Sequence, residues 1–190
     1  MSQGLDKFNN LVDSLMTLPS VGKKSALRFA YHMLLSDSFS AMKLSHAIED
    51  ALTSIQKCTI CGGLSEDEIC QICVDDVRES KTLCIVENPK DIFVLEESSA
   101  YDGKYFVLET LNQESIEALR DRVKEDTVSE IIFALTPSLA NDSIILFIEE
   151  KLKDFTISFT KIAQGVPTGV TLENVDMLSL TKALSDRVKV

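Results

Sequence analysis

Four of the five cysteines lie in one short stretch, CTICGGLSEDEICQIC, and have the spacing of metal ligands. Cys58 pairs with Cys61 and Cys70 with Cys73, each as Cys-x-x-Cys, with eight residues between the two pairs. Each pair can direct two thiolates at one ion, and two pairs complete the tetrahedral shell of a structural zinc site. The two glycines after the first pair free the backbone to wrap the ion. The sequence therefore predicts one zinc ion per chain.

Two disulfides or a redox Cys-x-x-Cys are the alternatives for these pairs. The N-terminus lacks the basic-then-apolar layout of a secretion signal, and no strand–helix context surrounds the pairs, so neither alternative is favoured. Because all four ligand positions are cysteine, no position is left for water or substrate, and we expect a structural role. The fifth cysteine, Cys84, lies in the apolar run TLCIVEN and is expected in the core.

A second stretch, LPSVGKKSALRFA, places a glycine before two lysines and a serine, which suggests phosphate binding. A nucleotide-binding P-loop requires a glycine five residues before Gly22, where Thr17 stands. It also requires a hydroxyl residue where Lys24 stands, and a buried strand before the loop. The sequence therefore excludes a nucleotide cradle here.

The residues around this stretch predict two helices joined by a tight turn. Apolar residues recur at helical spacing up to Leu18, and Pro19 ends that helix because it pushes the preceding residue out of the α region. Gly22 supplies the dihedral angles of the turn, and a second helix begins near Lys23. On that helix Lys24 and Arg28 share one face, while Ala26, Phe29, Ala30 and Met33 cover the other.

This arrangement has two interpretations that the residues alone leave open. The first is a helix-hairpin-helix element, whose helix N-terminus and basic side chains grip backbone phosphates without reading bases. The second is an ordinary αα-hairpin with a solvated basic face. The net charge of −11 excludes non-specific nucleic-acid binding by the whole surface, so any DNA contact must be local. The first 30 residues are slightly basic, with four basic and two acidic side chains.

From residue 82 onward, strands and helices alternate as in a parallel-sheet α/β domain. No apolar run approaches the length of a membrane span, and a cytoplasmic location is expected. The predicted strands cover residues 83–87, 104–108, 130–135 and 156–163, and the predicted helices cover 90–97, 113–125, 141–153 and 177–188. The turn-rich segment 163–176 is suited to contact with a neighbouring subunit or a ligand.

Three acidic residues follow the predicted strands, at the sheet edge where α/β proteins place their sites. Glu87 and Asp91 come after the first strand, and Asp142 comes after the third, next to Asn141. Their carboxylates could hold a magnesium ion. Alternatively, they cap helices and complement helix dipoles.

Taken in order, the hairpin, the cysteine cluster, CIVENPKDIFVLEESSAYDGKYFVL and KIAQGVPTGVTLENVDMLSLTKALSDR resemble the RecR family of bacterial recombination mediators over nearly the whole chain. The resemblance implies four parts. They are a helix-hairpin-helix region (1–55), a four-cysteine zinc finger (56–77), a Toprim domain (80–165), and a C-terminal Walker-B-like segment with an oligomerisation helix (166–190).

The resemblance also implies a function in recombinational DNA repair without catalytic activity. Such proteins form a tetrameric ring that can encircle DNA, with a dimer in solution as an alternative, and act with RecO, and RecF where present, to load RecA on gapped DNA. A ring lets basic hairpins line the hole while the outside stays acidic. The family's DNA-contacting lysine and arginine correspond to Lys24 and Arg28; Lys23, which stands where the family often has proline, is included as a contact.

The opposing hypothesis is a magnesium-dependent Toprim enzyme, such as a nuclease or a relative of primase. Family members usually carry Glu-Gly-Glu where this chain has Ala140, Asn141 and Asp142. One Toprim carboxylate is therefore absent, which leaves Glu87, Asp91 and Asp142 as the acidic set and makes strand cleavage a poorer explanation.

Overall fold

The computed structural model describes residues 4–163 and 165–187. The chain divides after Ile55 into two units, each with its own buried cluster. The first unit is helical, and the second contains the cysteine cluster, a parallel sheet and the C-terminal segment. Within the described ranges, no helix has both the length and the apolar character needed to cross a membrane.

The first unit consists of three α-helices and a π-helical turn, His32–Ser36, between the second and third. Helix α1 is Asp6–Met16, α2 is Lys23–Tyr31 and α3 is Ser38–Ser54. The helices α1 and α2 pack through a small core of Val12, Ala26 and Ala30. Alanine at two of these positions lets the two helix backbones approach closely, so a short hairpin can bury its centre with few residues.

The hairpin turn differs in detail from the expectation. Helix α1 ends at Met16, two residues before Leu18, and the left-handed residue of the turn is Ser20, with φ of 63°. Gly22 instead has an extended conformation, with φ −86° and ψ 168°, and is the N-cap of α2. Phe29 was expected on the covered face of α2, but 37% of it is exposed, because the small core reaches only to Ala26 and Ala30.

Helix α3 begins after Asp37, whose carboxylate accepts a hydrogen bond from the Ser40 backbone N–H at 2.9 Å. None of the residues of α3 is buried. The helix carries large exposed apolar side chains, with exposed fractions that reach 79% at Phe39 and 80% at Leu52. A soluble helix normally buries its apolar stripe, so α3 presents a surface suited to another apolar surface.

The second unit begins with the cysteine region, formed by a two-stranded antiparallel ribbon and one turn of helix. Strand β1 is Gln56–Lys57, β2 is Leu64–Ser65 and α4 is Gln71–Val74. Its buried cluster contains three of the four cysteines with Ile60, Ile69 and Ile72 packed against them.

A four-stranded parallel sheet follows, in the order β4-β3-β5-β6, as the alternating pattern predicted. The strands are β3 (Glu79–Val86), β4 (Gly103–Val107), β5 (Glu130–Ala134) and β6 (Ser158–Lys161). The helices are α5 (Pro89–Glu97), α6 (Gln113–Glu125) and α7 (Leu139–Lys151). The main core lies between the sheet and the helices, and its fully buried members include Leu83, Ile85 and Ile131.

The C-terminal segment has less structure than the sheet region. It contains a 3-10 turn, Leu172–Asn174, and helix α8, Met177–Ser185. The helix was predicted over 177–188; it ends at Ser185, and Val188 lies outside the described residues. No residue of α8 is buried, and Met177 and Leu178 are 76% and 70% exposed.

Candidate metal centre and nucleic-acid interface

The four cysteine sulfurs converge on one point. Their Sγ atoms all lie within 4.8 Å of one another, and they are the only group of three or more histidine, cysteine or acidic side chains so arranged in the described ranges. The Sγ atoms of Cys61 and Cys70 are 3.6 Å apart, which is far longer than a disulfide bond. A tetrahedral ion with zinc–sulfur bonds of about 2.3 Å requires sulfur–sulfur edges of about 3.8 Å. The cluster therefore fits a four-thiolate zinc ion.

The backbone conformation around the first cysteine pair directs two N–H groups toward cysteine sulfur atoms. Gly62 has a left-handed conformation, with φ of 75°, that residues with side chains adopt only under strain. The N–H of Gly63 then donates to the Sγ of Cys61, and the N–H of Cys70 donates to the Sγ of Cys58, both at 3.3 Å. Such donors stabilise thiolates, which are the form that binds a metal.

Three of the four thiols have pKa values shifted in different directions. A hydrogen bond from the Cys73 thiol, helped by the Gly63 N–H, lowers the pKa of Cys61 to about 5. Burial raises the pKa of Cys70 to about 11, and the bond to the Cys61 thiolate raises the pKa of Cys73. A divalent cation is therefore needed to hold four thiolates together, and its binding releases protons. Cys84 lies apart in the sheet core, as expected, where burial raises its pKa to about 12.

The basic residues of the hairpin lie on exposed surface at and beyond the start of α2. Lys23, Lys24 and Arg28 are all exposed, and within the described part of the chain none of them forms an ion pair. The N-cap is Gly22, which has no side chain to accept hydrogen bonds from the first N–H groups of the helix. An anion can therefore meet open backbone donors, the positive end of the helix dipole and two lysines together.

The first Toprim acid, Glu87, is held by two donors from the segment that follows β5. Its Oε2 accepts from the backbone N–H of Thr136 at 2.8 Å, and its Oε1 accepts from Nδ2 of Asn141 at 3.0 Å. The Asn141 amide also donates to the Thr136 carbonyl at 2.7 Å. These hydrogen bonds, above all those from Thr136, lower the pKa of Glu87.

The other two acids have different surroundings. Asp91 lies in the first turn of α5 and forms a capping box with Asn88, whose N–H donates to Oδ2 of Asp91 at 3.0 Å. Asp142 lies in the first turn of α7, with Oδ1 3.4 Å from Nζ of Lys161. The structure brings Glu87 to Asn141, but it does not gather the three carboxylates into one ligand set.

Sequence reasoning missed one contact and one residue of this region. It placed Asn141 at the end of the third strand but did not predict its bond to Glu87, which joins residues 54 positions apart. It assigns Lys104 only to a strand, although the side chain is almost fully buried beside the cysteine region. No local pattern signals either contact, because each depends on how distant segments are packed.

Three family profiles match consecutive parts of the chain. The profile for the RecR helix-hairpin-helix matches residues 8–52, and the profile for the RecR zinc finger domain with four cysteines matches residues 55–75. A Toprim domain profile matches residues 81–163. The matches coincide with the basic hairpin, the cysteine cluster and the parallel sheet.

Named relatives are similar over the whole chain. Recombination protein RecR of a Nitratiruptor species is 58% identical over 190 residues, and that of Campylobacter jejuni subsp. doylei is 52% identical over 190 residues, with all of both chains covered in each case. The Helicobacter pylori protein of the same name is 49% identical over 185 residues, which cover 97% of this chain and 96% of the relative. The chain therefore belongs to the RecR family of recombination proteins.

Proposed function

We propose that this protein is a non-enzymatic mediator of recombinational DNA repair that binds DNA without regard to sequence. It acts with RecO, and with RecF where the cell has it, to load RecA onto gapped single-stranded DNA. The observation that carries the proposal is the open N-terminus of α2, where Lys23, Lys24 and Arg28 are exposed and unpaired within the described residues, in a chain of net charge −11.

The DNA contact would be made to phosphates. Lys24 and Arg28 lie one helical turn apart, and the free N–H groups at the start of α2 accept an anion without reading a base. Because acidic residues dominate the rest of the chain, the DNA must contact this hairpin and few other surfaces of the protein.

A ring of four copies satisfies this constraint, and its hole would be lined by the hairpins. The exposed apolar side chains of α3 and α8 support self-association, because isolated helices do not normally leave such residues in water. A dimer is the alternative assembly in solution.

We also propose that the chain has four parts, residues 1–55, 56–77, 80–165 and 166–190. The division of the structure after Ile55 supports the first boundary. The proposed location is the cytoplasm, at the nucleoid.

One zinc ion per chain, held by Cys58, Cys61, Cys70 and Cys73, is the proposed cofactor, with a structural role. The fit of the sulfur separations to a tetrahedral ion supports it. The acids Glu87, Asp91 and Asp142 are assigned to partner contact rather than to magnesium-dependent cleavage, because their carboxylates are not gathered into one ligand set.

The proposal is tested by RecA-dependent ATP hydrolysis on gapped DNA coated with single-strand binding protein, with RecO present. We expect wild-type protein to shorten the lag and the variant Lys24→Ala/Arg28→Ala to lose most of this effect. The control is Lys81→Ala/Lys124→Ala, which removes the same charge from exposed positions elsewhere. A control as defective as the hairpin variant would contradict the assigned DNA site. Magnesium-dependent cleavage of nicked or single-stranded DNA, abolished by Glu87→Gln, would instead identify an enzyme.

A further inference from the structure

Strand β4 contacts both halves of the cysteine region, and the first contact is through Val107. The backbone N–H of Val107 donates to the carbonyl of Cys61 at 2.8 Å. Gly62 lies so close to this residue that a Cβ added to it would be 3.2 Å from Cβ of Val107. The first cysteine pair is therefore fixed against the C-terminal end of β4.

The second contact is through Lys104, three residues earlier on the same strand. Lys104 is only 5% exposed, and its Nζ donates to the backbone carbonyls of Ile72, Cys73 and Asp75 at 3.0, 3.1 and 2.6 Å. An ammonium group has three N–H donors, and all three are used. Burying this charge is tolerable only because every donor is satisfied.

These carbonyls belong to the end of α4, the single helical turn that carries Cys73. The last carbonyls of a helix have no partner within the helix, and a cation there is favoured by the helix dipole. Ile72 adds an apolar contact, since it packs against both the cysteine cluster and the sheet cluster that contains Tyr105. Thus Lys104 fixes the second cysteine pair to β4.

We propose that Lys104 is a positioning residue for the metal centre, holding the second cysteine pair in register with the first. β4 then sets the spacing between the two pairs, with Val107 securing one and Lys104 the other. The ammonium also brings positive charge to a centre that carries a net negative charge when zinc is bound by four thiolates. The inference rests on the proposed zinc ion, and its tests separate the two.

The first test uses the wild-type chain and an amine-acylating reagent, N-hydroxysuccinimidyl acetate, with mass spectrometry. In the zinc-loaded protein we expect Lys104, whose three N–H donors are all used, to react much more slowly than Lys57, which is in the same region with 61% of its side chain exposed. After removal of zinc by a chelator, Lys104 should become reactive while Lys57 changes little.

Two results would overturn the proposal: a Lys104 as reactive as Lys57 in the zinc-loaded protein, or protection that survives zinc removal. A purified chain that binds no zinc at all would instead defeat the proposed cofactor.

The second test compares Lys104→Met, Lys104→Arg and the control Lys81→Met, at an exposed position of β3. We expect Lys104→Met to weaken zinc binding at least about tenfold in competition with a chelator, and Lys104→Arg to recover part of the loss. Relative to the wild type, alkylation of Cys70 and Cys73 should accelerate more than that of Cys58 and Cys61. Unchanged affinity with unchanged thiol reactivity would overturn the proposal, and if Lys104→Met does not fold, the wild-type acylation experiment decides it.

Discussion

Asn141 and Glu87 are joined by a hydrogen bond of 3.0 Å that links the start of α7 to the end of β3. The same amide group bonds the Thr136 carbonyl, so one side chain ties three segments at the carboxyl edge of the sheet. In this chain the Toprim edge is therefore held together by its own side chains.

Replacing Asn141 with alanine is expected to lower the free energy of unfolding by about 1–3 kcal/mol, because it leaves the Thr136 carbonyl and one Glu87 oxygen without their donor. Urea unfolding followed by circular dichroism measures the change. An equally stable variant would show that water replaces the amide without cost.

Replacing Glu87 with glutamine should make the free energy of unfolding depend less on pH in the acid range. Folding lowers the pKa of Glu87 below its ordinary value of 4.5, mainly through the hydrogen bonds from Thr136. Its stabilising contribution is therefore present above about pH 4.5 and is lost as the pH falls through the lowered folded value. Unfolding free energies of wild type and variant, measured from about pH 6 down to about pH 3, should converge in acid. Parallel curves would exclude Glu87 as a contributor.

Metal analysis of gently purified protein should give about one zinc per chain, and Cys73→Ser should lose most of it. Cys84→Ala is the matched control and should keep the ion, because Cys84 is buried in the sheet core away from the cluster. Affinity should fall as the pH falls, since the thiols, of which Cys70 has its pKa raised to about 11, must release protons. Cobalt-substituted protein gives the readout through its thiolate charge-transfer bands. Loss of zinc from both variants alike would point to general unfolding.

DNA affinity should depend less steeply on salt after Lys24→Ala/Arg28→Ala. Each lost phosphate contact removes about 0.9 from the slope of log K against log salt, so the slope should fall by roughly 2 for each hairpin bound to duplex DNA. Fluorescence anisotropy at several salt concentrations measures it on DNA of unrelated sequences. The control Lys81→Ala/Lys124→Ala should keep the wild-type slope. An unchanged slope in the hairpin variant would contradict the DNA site assigned to the hairpin.

Two ion pairs that differ in burial should contribute differently to the free energy of unfolding. Glu96 accepts two hydrogen bonds from the Arg78 guanidinium, at 2.8 and 2.7 Å, and a third from the Tyr105 hydroxyl at 2.7 Å; the Arg78 side chain is only 14% exposed. Glu96→Ala should cost about 2–3 kcal/mol, because it strands a largely buried charge. The matched control is Glu150→Ala, which removes a pair with Lys153 that is exposed on both sides and should change stability little. Urea unfolding measures the change in the free energy of unfolding for each variant. Equal changes would contradict the inference that burial makes the Arg78–Glu96 pair the more important of the two.

Local patterns are sufficient for the elements that position the site. The apolar runs predicted all four parallel strands, and periodicity placed α6 at the same residues, 113–125, that the structure gives. The cysteine spacing predicted the convergence of four sulfurs, because two short turns allow little else.

The features that the sequence could not predict depend on contacts between residues that are far apart in the chain. The glycine at position 22 predicted that this residue makes the turn between α1 and α2. The left-handed residue of the turn is instead Ser20, because the path of the chain between the two helices determines which residue takes that conformation. Lys104 lies in an apolar strand pattern, where a lysine is expected to face water. Its burial follows from the carbonyls that α4 places beside β4, some 30 residues away in the sequence.

Strand β4 lies at the end of the sheet as the structure describes it, with β3 on one side and the cysteine region against its other side at Val107. An uncovered outer strand offers its free N–H and carbonyl groups to other chains, which is a common route to aggregation. A zinc ion bound as proposed would keep in place the segment that shields this strand. Removing the metal is therefore expected to expose the strand edge and to lower the solubility of the protein.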